Sequence, residues 1–174
     1  MRKLKDRLHD LDKNGIQEKW QRLDSDGGLS TREKLEKLVR RNLTPKDKNE
    51  LMMKNNHQAM TFILENRESD FSIDFILNIH RIITQNTLDD PEYAGKFRDD
   101  EVFIWDKNNT VIFKPMAEEN IKESLNNLVT WVNTHSEEDF IHPILKASII
   151  HFFLVYVHPF FDGNGRTARA IFYF

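Results

Sequence analysis

The chain has 174 residues, and 28 acidic side chains against 25 basic ones leave a formal charge of −3. At 39% apolar it can bury one real core, which excludes disorder over the whole length. There is no cysteine, so disulfides and thiolate metal sites are excluded, and the near-neutral balance gives no bulk attraction for nucleic acid or a membrane surface.

Helix dominates the reading. Residues 1–29 are polar and hold the turn signal Ser25-Asp26-Gly27-Gly28. Ser30-Thr31-Arg32-Glu33 is a capping box that opens a helix to about Arg41. Thr44-Pro45 predicts the next start, with proline at the first helical position, and that helix runs to about Asn66. Ser72 caps a third, which carries Ile73, Ile76, Ile79 and Ile83 at helical spacing. Residues 87–116 break the pattern. There Val102 to Trp105, the turn Lys107-Asn108-Asn109 and Val111-Ile112-Phe113 predict one small hairpin, which must lie against helices to be stable. Helix resumes from about Ala117 to Val132. Pro143 opens a nearly all-apolar helix to Val157, expected to be central and buried on every side. A final helix begins near Gly165 and stops at Phe174 without a cap, which reads as a core cut short. The organisation expected is an N-terminal helical extension over 1–44 and a core over 45–174. No apolar run approaches the roughly 20 residues of a membrane span. The basic N-terminus has no apolar stretch behind it, so a cytoplasmic location is expected.

Residues 158–169, His-Pro-Phe-Phe-Asp-Gly-Asn-Gly-Arg-Thr-Ala-Arg, carry the chemistry. A helix delivers His158 to a loop that holds Asp162 and two glycines around Asn164. A new helix then opens with Arg166 and Arg169 in its first turns. Amides at a helix N-terminus bind anions, and glycines let the backbone approach a phosphate. Arginines there oppose the macrodipole, so they point to a bound polyanion. Asp162 would repel phosphate unless a divalent cation lay between, and Mg²⁺ takes one carboxylate plus phosphate oxygens. A histidine is a natural general base at neutral pH. These parts together describe phosphoryl or nucleotidyl transfer. The rival Gly-X-Gly-X-X-Ala dinucleotide pattern fails, because the segment before it is helical in length and not a strand. No His-X-X-X-His pair exists, which argues against a zinc site.

This segment resembles the signature of Fic-domain proteins, and every specified position matches. Gly95-Lys96-Phe97-Arg98 followed by Val102-Phe103-Ile104 is similar to the family's lead-in to its target-binding flap. Asn56-His57-Gln58-Ala59-Met60 resembles the start of the core's first helix. The resemblance implies an all-α, Fic-type helical bundle with one small β-hairpin flap. It also implies a protein adenylyltransferase that moves AMP from ATP to a Ser, Thr or Tyr hydroxyl of a target protein. By that resemblance His158 is the base, and Asp162 holds Mg²⁺. Gly163, Asn164 and Gly165 form the anion hole, and Arg166 and Arg169 grip the phosphates. Phe160 anchors the loop, and Ile104 on the hairpin clamps the target, whose backbone adds as a strand.

Many family members are restrained by Ser/Thr-X-X-X-Glu-Gly/Asn, whose glutamate pairs with the second arginine of the signature. Thr61 to Asn66 is a formal match, which makes Glu65 a candidate inhibitory partner of Arg169. Removal of AMP, transfer of another nucleotide such as UMP, and a catalytically silent nucleotide-binding module stand as alternatives. A homodimer and a separate inhibitor protein stay open as partners. The basic cluster over 32–48 reads as a solvated helix face, not a nucleic-acid interface.

Overall fold

The computed structural model describes residues 31–40, 43–134 and 140–174. It divides into two compact units, Met1–Glu50 and Leu51–Phe174. In the first unit, helix α1 spans Thr31–Arg40, and Leu43 N–H closes its last turn on Leu38 O. The Ser30 cap lies outside the described residues. Helix α2 spans Lys48–Glu65, so Pro45 stands before the helix and not in its first turn. The start is set instead by Asp47, whose Oδ1 accepts from Glu50 N–H at 2.8 Å. Glu50 Oε2 in turn accepts from Lys46 N–H at 2.8 Å. Side-chain acceptors satisfy amides that a helix start leaves open, and that decides the boundary.

In the second unit, α3 spans Ile73–Thr84, with the predicted Ser72 cap accepting from Phe75 N–H. The 3-10 turn Pro91–Tyr93 leads toward strands β1 (Ile104–Trp105) and β2 (Val111–Phe113). These pair antiparallel with a register shift between Ile104 and Trp105. The ordered pairing is shorter than the alternation suggested, and Asp106 closes the turn by accepting from the Asn108 and Thr110 amides. Those two bonds hold its carboxyl below the usual range. A 3-10 turn, Glu118–Asn120, feeds α4 (Ile121–Asn133), followed by α5 (Pro143–Val157) and α6 (Asn164–Ile171).

The core of the second unit gathers one face from each of α2 to α6: Ile63, Ile76, Ile79, Ile83, Leu125, Leu154, Val157 and Ile171. Two asparagines fix the ends of the stack. Asn55 Nδ2 donates to the carbonyls of Ile83 and Gln85, which terminates α3 against the N-terminal half of α2. Asn133 accepts from Phe71 N–H and donates to Phe71 O, which ties the end of α4 to the entry of α3.

The apolar helix α5 departs from expectation too. Only Ile150, Leu154 and Val157 of α5 are buried. Ile144, Leu145, Ile149, Phe152 and Tyr156 are exposed, Phe152 at 68%. Among the described residues, α4 and α6 pack on one face of α5, so uniform apolarity marks more surface than these helices cover. No helix among the described residues is long and apolar enough to cross a membrane.

Candidate active site

The site grows from the junction of α5 and α6. His158 ends α5 in the left-handed conformation, φ 53° and ψ 59°, with its N–H on Leu154 O. This backbone state is uncommon for a residue with a Cβ. It turns the chain sharply into Pro159 and Phe160. Phe160 is buried, as the anchoring role requires, and stacks flat on His80 with ring centroids 3.7 Å apart. Asn164 holds the loop closed: its Oδ1 accepts from Phe160 N–H at 2.9 Å and its Nδ2 donates to Phe160 O at 2.6 Å. Both amide atoms of the Asn164 side chain are thus engaged with the loop's own backbone.

Gly163 is the hinge before α6. Its φ is +83°, and an added Cβ would stand 2.7 Å from Thr84 Cγ2. Only glycine meets both demands without strain. The first helical bond of α6 is Thr167 N–H to Gly163 O. The amides of Asn164, Gly165 and Arg166 therefore precede any intrahelical acceptor and form the positive end of the helix. Arg169 folds back over this end, its Nη1 3.3 Å from where a Gly165 Cβ would lie. Arg166 Nη2 donates to Asp162 Oδ2 at 2.9 Å, and its Nη1 reaches Thr87 Oγ1 at 3.4 Å.

His158 Nδ1 lies 3.2 Å from Val155 O. A proton on Nδ1 is donated there, which leaves Nε2 as the basic nitrogen. Burial pushes the His158 ring below the ordinary histidine range, and the nearby Arg98 charge lowers it further against the Val155 bond. The ring is therefore neutral at pH 7, the state a general base needs.

Asp162 fits the metal role that the sequence suggests. Its side chain is 60% exposed, and it stands beside the open amides of α6. No group of three or more His, Cys, Asp or Glu ligands exists among the described residues. A lone outward carboxylate suits Mg²⁺ that arrives with phosphate oxygens rather than an ion held by protein alone.

The structure thus brings together His158, Asp162, Gly163, Asn164, Gly165, Arg166 and Arg169. Ile104 is half-buried on β1 opposite Phe113, while Phe103, Trp105, Val111 and Ile112 around it are exposed. Glu65 is not brought to Arg169. It is exposed at the last turn of α2, and no ion pair joins the two among the described residues. Asn55, which touches the Thr84 end of α3 near the active loop, lies about 15 Å up the helix from Glu65 at 1.5 Å per residue.

Sequence reasoning gives His80 no role and places Arg98 only within the lead-in to the flap. His80 is buried; its Nδ1 accepts from Gly95 N–H at 2.9 Å, so its Nε2 carries the proton and donates to Asp162 O at 2.9 Å. Burial pulls its pKa from 6.5 to about 4, against the Asp162 bond. A polar ring among the isoleucines of α3 was the available signal. Arg98, also buried, donates to carbonyls on both sides of the hairpin and on the active loop.

The Fic/DOC family profile matches residues 70–174. The chain belongs to the Fic/DOC family. It is 41% identical over 109 residues to the protein adenylyltransferase fic-1 of Caenorhabditis briggsae, covering 63% of this chain and 20% of that protein. It is 36% identical over 105 residues to the protein adenylyltransferase Fic of Nematostella vectensis, covering 60% of this chain and 22% of that one. The chain spans about a fifth of the length of these curated relatives. The fold is similar to that of solved Fic-1 (residues 134–508) from C. elegans, with TM-score 0.64 and 33% identity over 84% of this chain and 42% of that one. It is also similar to a Fic-domain signalling protein from Bacteroides thetaiotaomicron, with TM-score 0.69 and 23% identity over 82% of this chain and 54% of that one, a likeness of fold.

Proposed function

We propose that this chain is the catalytic core of a protein adenylyltransferase, which moves AMP from ATP to a hydroxyl of a target protein. The observation that carries the reading is the pairing of a neutral histidine, with Nε2 unspent, and an open helix start flanked by Arg166, Arg169 and one carboxylate. The names of the relatives support the same activity.

His158 Nε2 takes the proton as the target oxygen bonds to the α-phosphorus. The bond from that phosphorus to the bridging oxygen breaks, and pyrophosphate leaves. The amides of Asn164, Gly165 and Arg166 receive negative charge that the α-phosphate develops. Arg166 and Arg169 hold the outer phosphates. Asp162 would hold Mg²⁺, which neutralises phosphate charge and orients the leaving group. Forming that contact requires Asp162 to leave Arg166, or to share its second oxygen. The hairpin, with Ile104 at its inner edge, seats the target segment.

The test is transfer of label from α-labelled ATP with Mg²⁺ into lysate protein, comparing this chain with His158→Ala. Label in protein that vanishes with His158→Ala supports the reading. Label that persists in the variant overturns it, and transfer only from α-labelled UTP changes the nucleotide.

A further inference from the structure

Arg98 occupies an unusual position for a cation. It is 3% exposed, yet no carboxylate bonds it among the described residues. Every bond ends on a backbone carbonyl. Nε donates to His158 O at 2.9 Å, Nη1 to Asp100 O at 2.7 Å, and Nη2 to Met116 O. Its own backbone N–H donates to Pro159 O at 2.9 Å. Asp100 precedes β1 and Met116 follows β2, so these two carbonyls are the feet of the hairpin. The other two belong to the residue that carries the base and to its neighbour.

Burying a charge is costly, and one hydrogen bond does not require arginine. A planar fork that reaches three carbonyls at once does require it; lysine offers one point charge. Of the two loop carbonyls that Arg98 bonds, Pro159 O lies one peptide further on and His158 O belongs to the peptide that leaves His158. That peptide follows a left-handed residue, the backbone state a Cβ disfavours. Bonds to that peptide's own carbonyl and to the next one hold the conformation against relaxation. The same guanidinium keeps the hairpin feet together, with Glu118, Glu101 and Asp100 placed to balance its charge.

We propose that Arg98 is a positioning residue: it holds His158 in its left-handed conformation and sets the hairpin at a fixed height over the His158 ring. For catalysis this rests on the adenylyl-transfer reading, in which the hairpin presents the target hydroxyl to Nε2. For geometry it stands without it.

The experiment uses the full chain with ¹⁵N-labelled histidine, in the parent and in Arg98→Lys and Arg98→Met. The His158 ring is assigned by its loss in His158→Gln. In the parent, ring nitrogen shifts should show a proton on Nδ1, bonded to Val155 O. In both Arg98 variants the ring should move to a mixture of tautomers while far-UV circular dichroism is retained. Unchanged His158 shifts in both variants overturn the proposal. Transfer from α-labelled Mg-ATP should fall at least tenfold in kcat for Arg98→Lys, with KM for ATP within twofold. A KM rise with kcat kept also overturns it. If neither variant folds, the parent still decides: Arg98 Nε–H must exchange with solvent as slowly as core amides, and exchange at the rate of free arginine overturns the clamp. A parent that transfers no nucleotide defeats the functional reading alone, because the nitrogen shifts and the exchange rate need no turnover.

Discussion

Asp162 Oδ2 and Arg166 Nη2 are already paired at 2.9 Å, one helical turn apart, so the carboxylate proposed to hold Mg²⁺ and an arginine proposed to hold phosphate neutralise one another in the chain as it stands. The Asp162 side chain is largely exposed, and an ion pair of that kind contributes about 0–1 kcal/mol. Asp162→Asn keeps an oxygen for the Gly163 amide and loses the charge. It should leave the melting temperature within about 3 °C and cut Mg-ATP-dependent transfer by about 100-fold or more. A large fall in melting temperature, with the loss of activity only following it, would show that the pair serves the fold.

The acid limb of the rate should follow His158. Its ring is depressed below 6.5 by burial and by Arg98, so it stays neutral down to a pH below that value. The rate should be flat from pH 8 to about 6.5 and fall at lower pH as the base gains its proton. A rate–pH profile whose half-point lies above 6.5 contradicts this.

His80 makes stability pH-dependent. Its folded pKa of about 4 lies below the unfolded value of 6.5, so between them the unfolded chain binds more protons. Its contribution is complete above 6.5, declines as pH falls toward 4, and reaches a loss on the order of 3 kcal/mol below that. Other groups also titrate there, so the difference from His80→Gln is the readout. Urea melts from pH 7 to 4.5 should show a shallower fall for the variant. Parallel curves would place the ring in a more solvated state.

Gly163→Ala combines a left-handed φ of +83° with a Cβ 2.7 Å from Thr84 Cγ2. It should lower stability by about 1–2 kcal/mol from the backbone state, with the clash added, and abolish transfer. Thr84→Ser removes the clashing methyl and keeps the hydroxyl that donates to His80 O. The double variant should regain part of the stability and little activity. Equal melting temperatures for the single Gly163→Ala and the double variant would show that the methyl is not the obstacle.

Glu65→Gly should leave the transfer rate within twofold of the parent, since Glu65 is exposed at the end of α2 and unpaired with Arg169. A several-fold rise in label transfer would reveal a state in which the two residues meet.

Much of this was readable along the chain. Ser72 caps α3 and Pro143 opens α5 because both signals act within one turn of the residue that bears them. Pro45 misled because Asp47 and Glu50 form a stronger local stop. The uniform apolarity of α5 could not say which face would be covered, because no period exists in it to read.

The sequence by itself determined the active loop. Residues 158–169 are contiguous, and their chemistry follows from a turn, two glycines and a helix start, all local events. Tertiary structure alone decided how that loop is held. His80 reaches Asp162, and Arg98 reaches His158 and Met116, by bonds between elements far apart in the chain. Whether a histidine or an arginine is buried depends on which helices and loops close over it, and only the packed fold sets the shared carbonyls within reach of their donors.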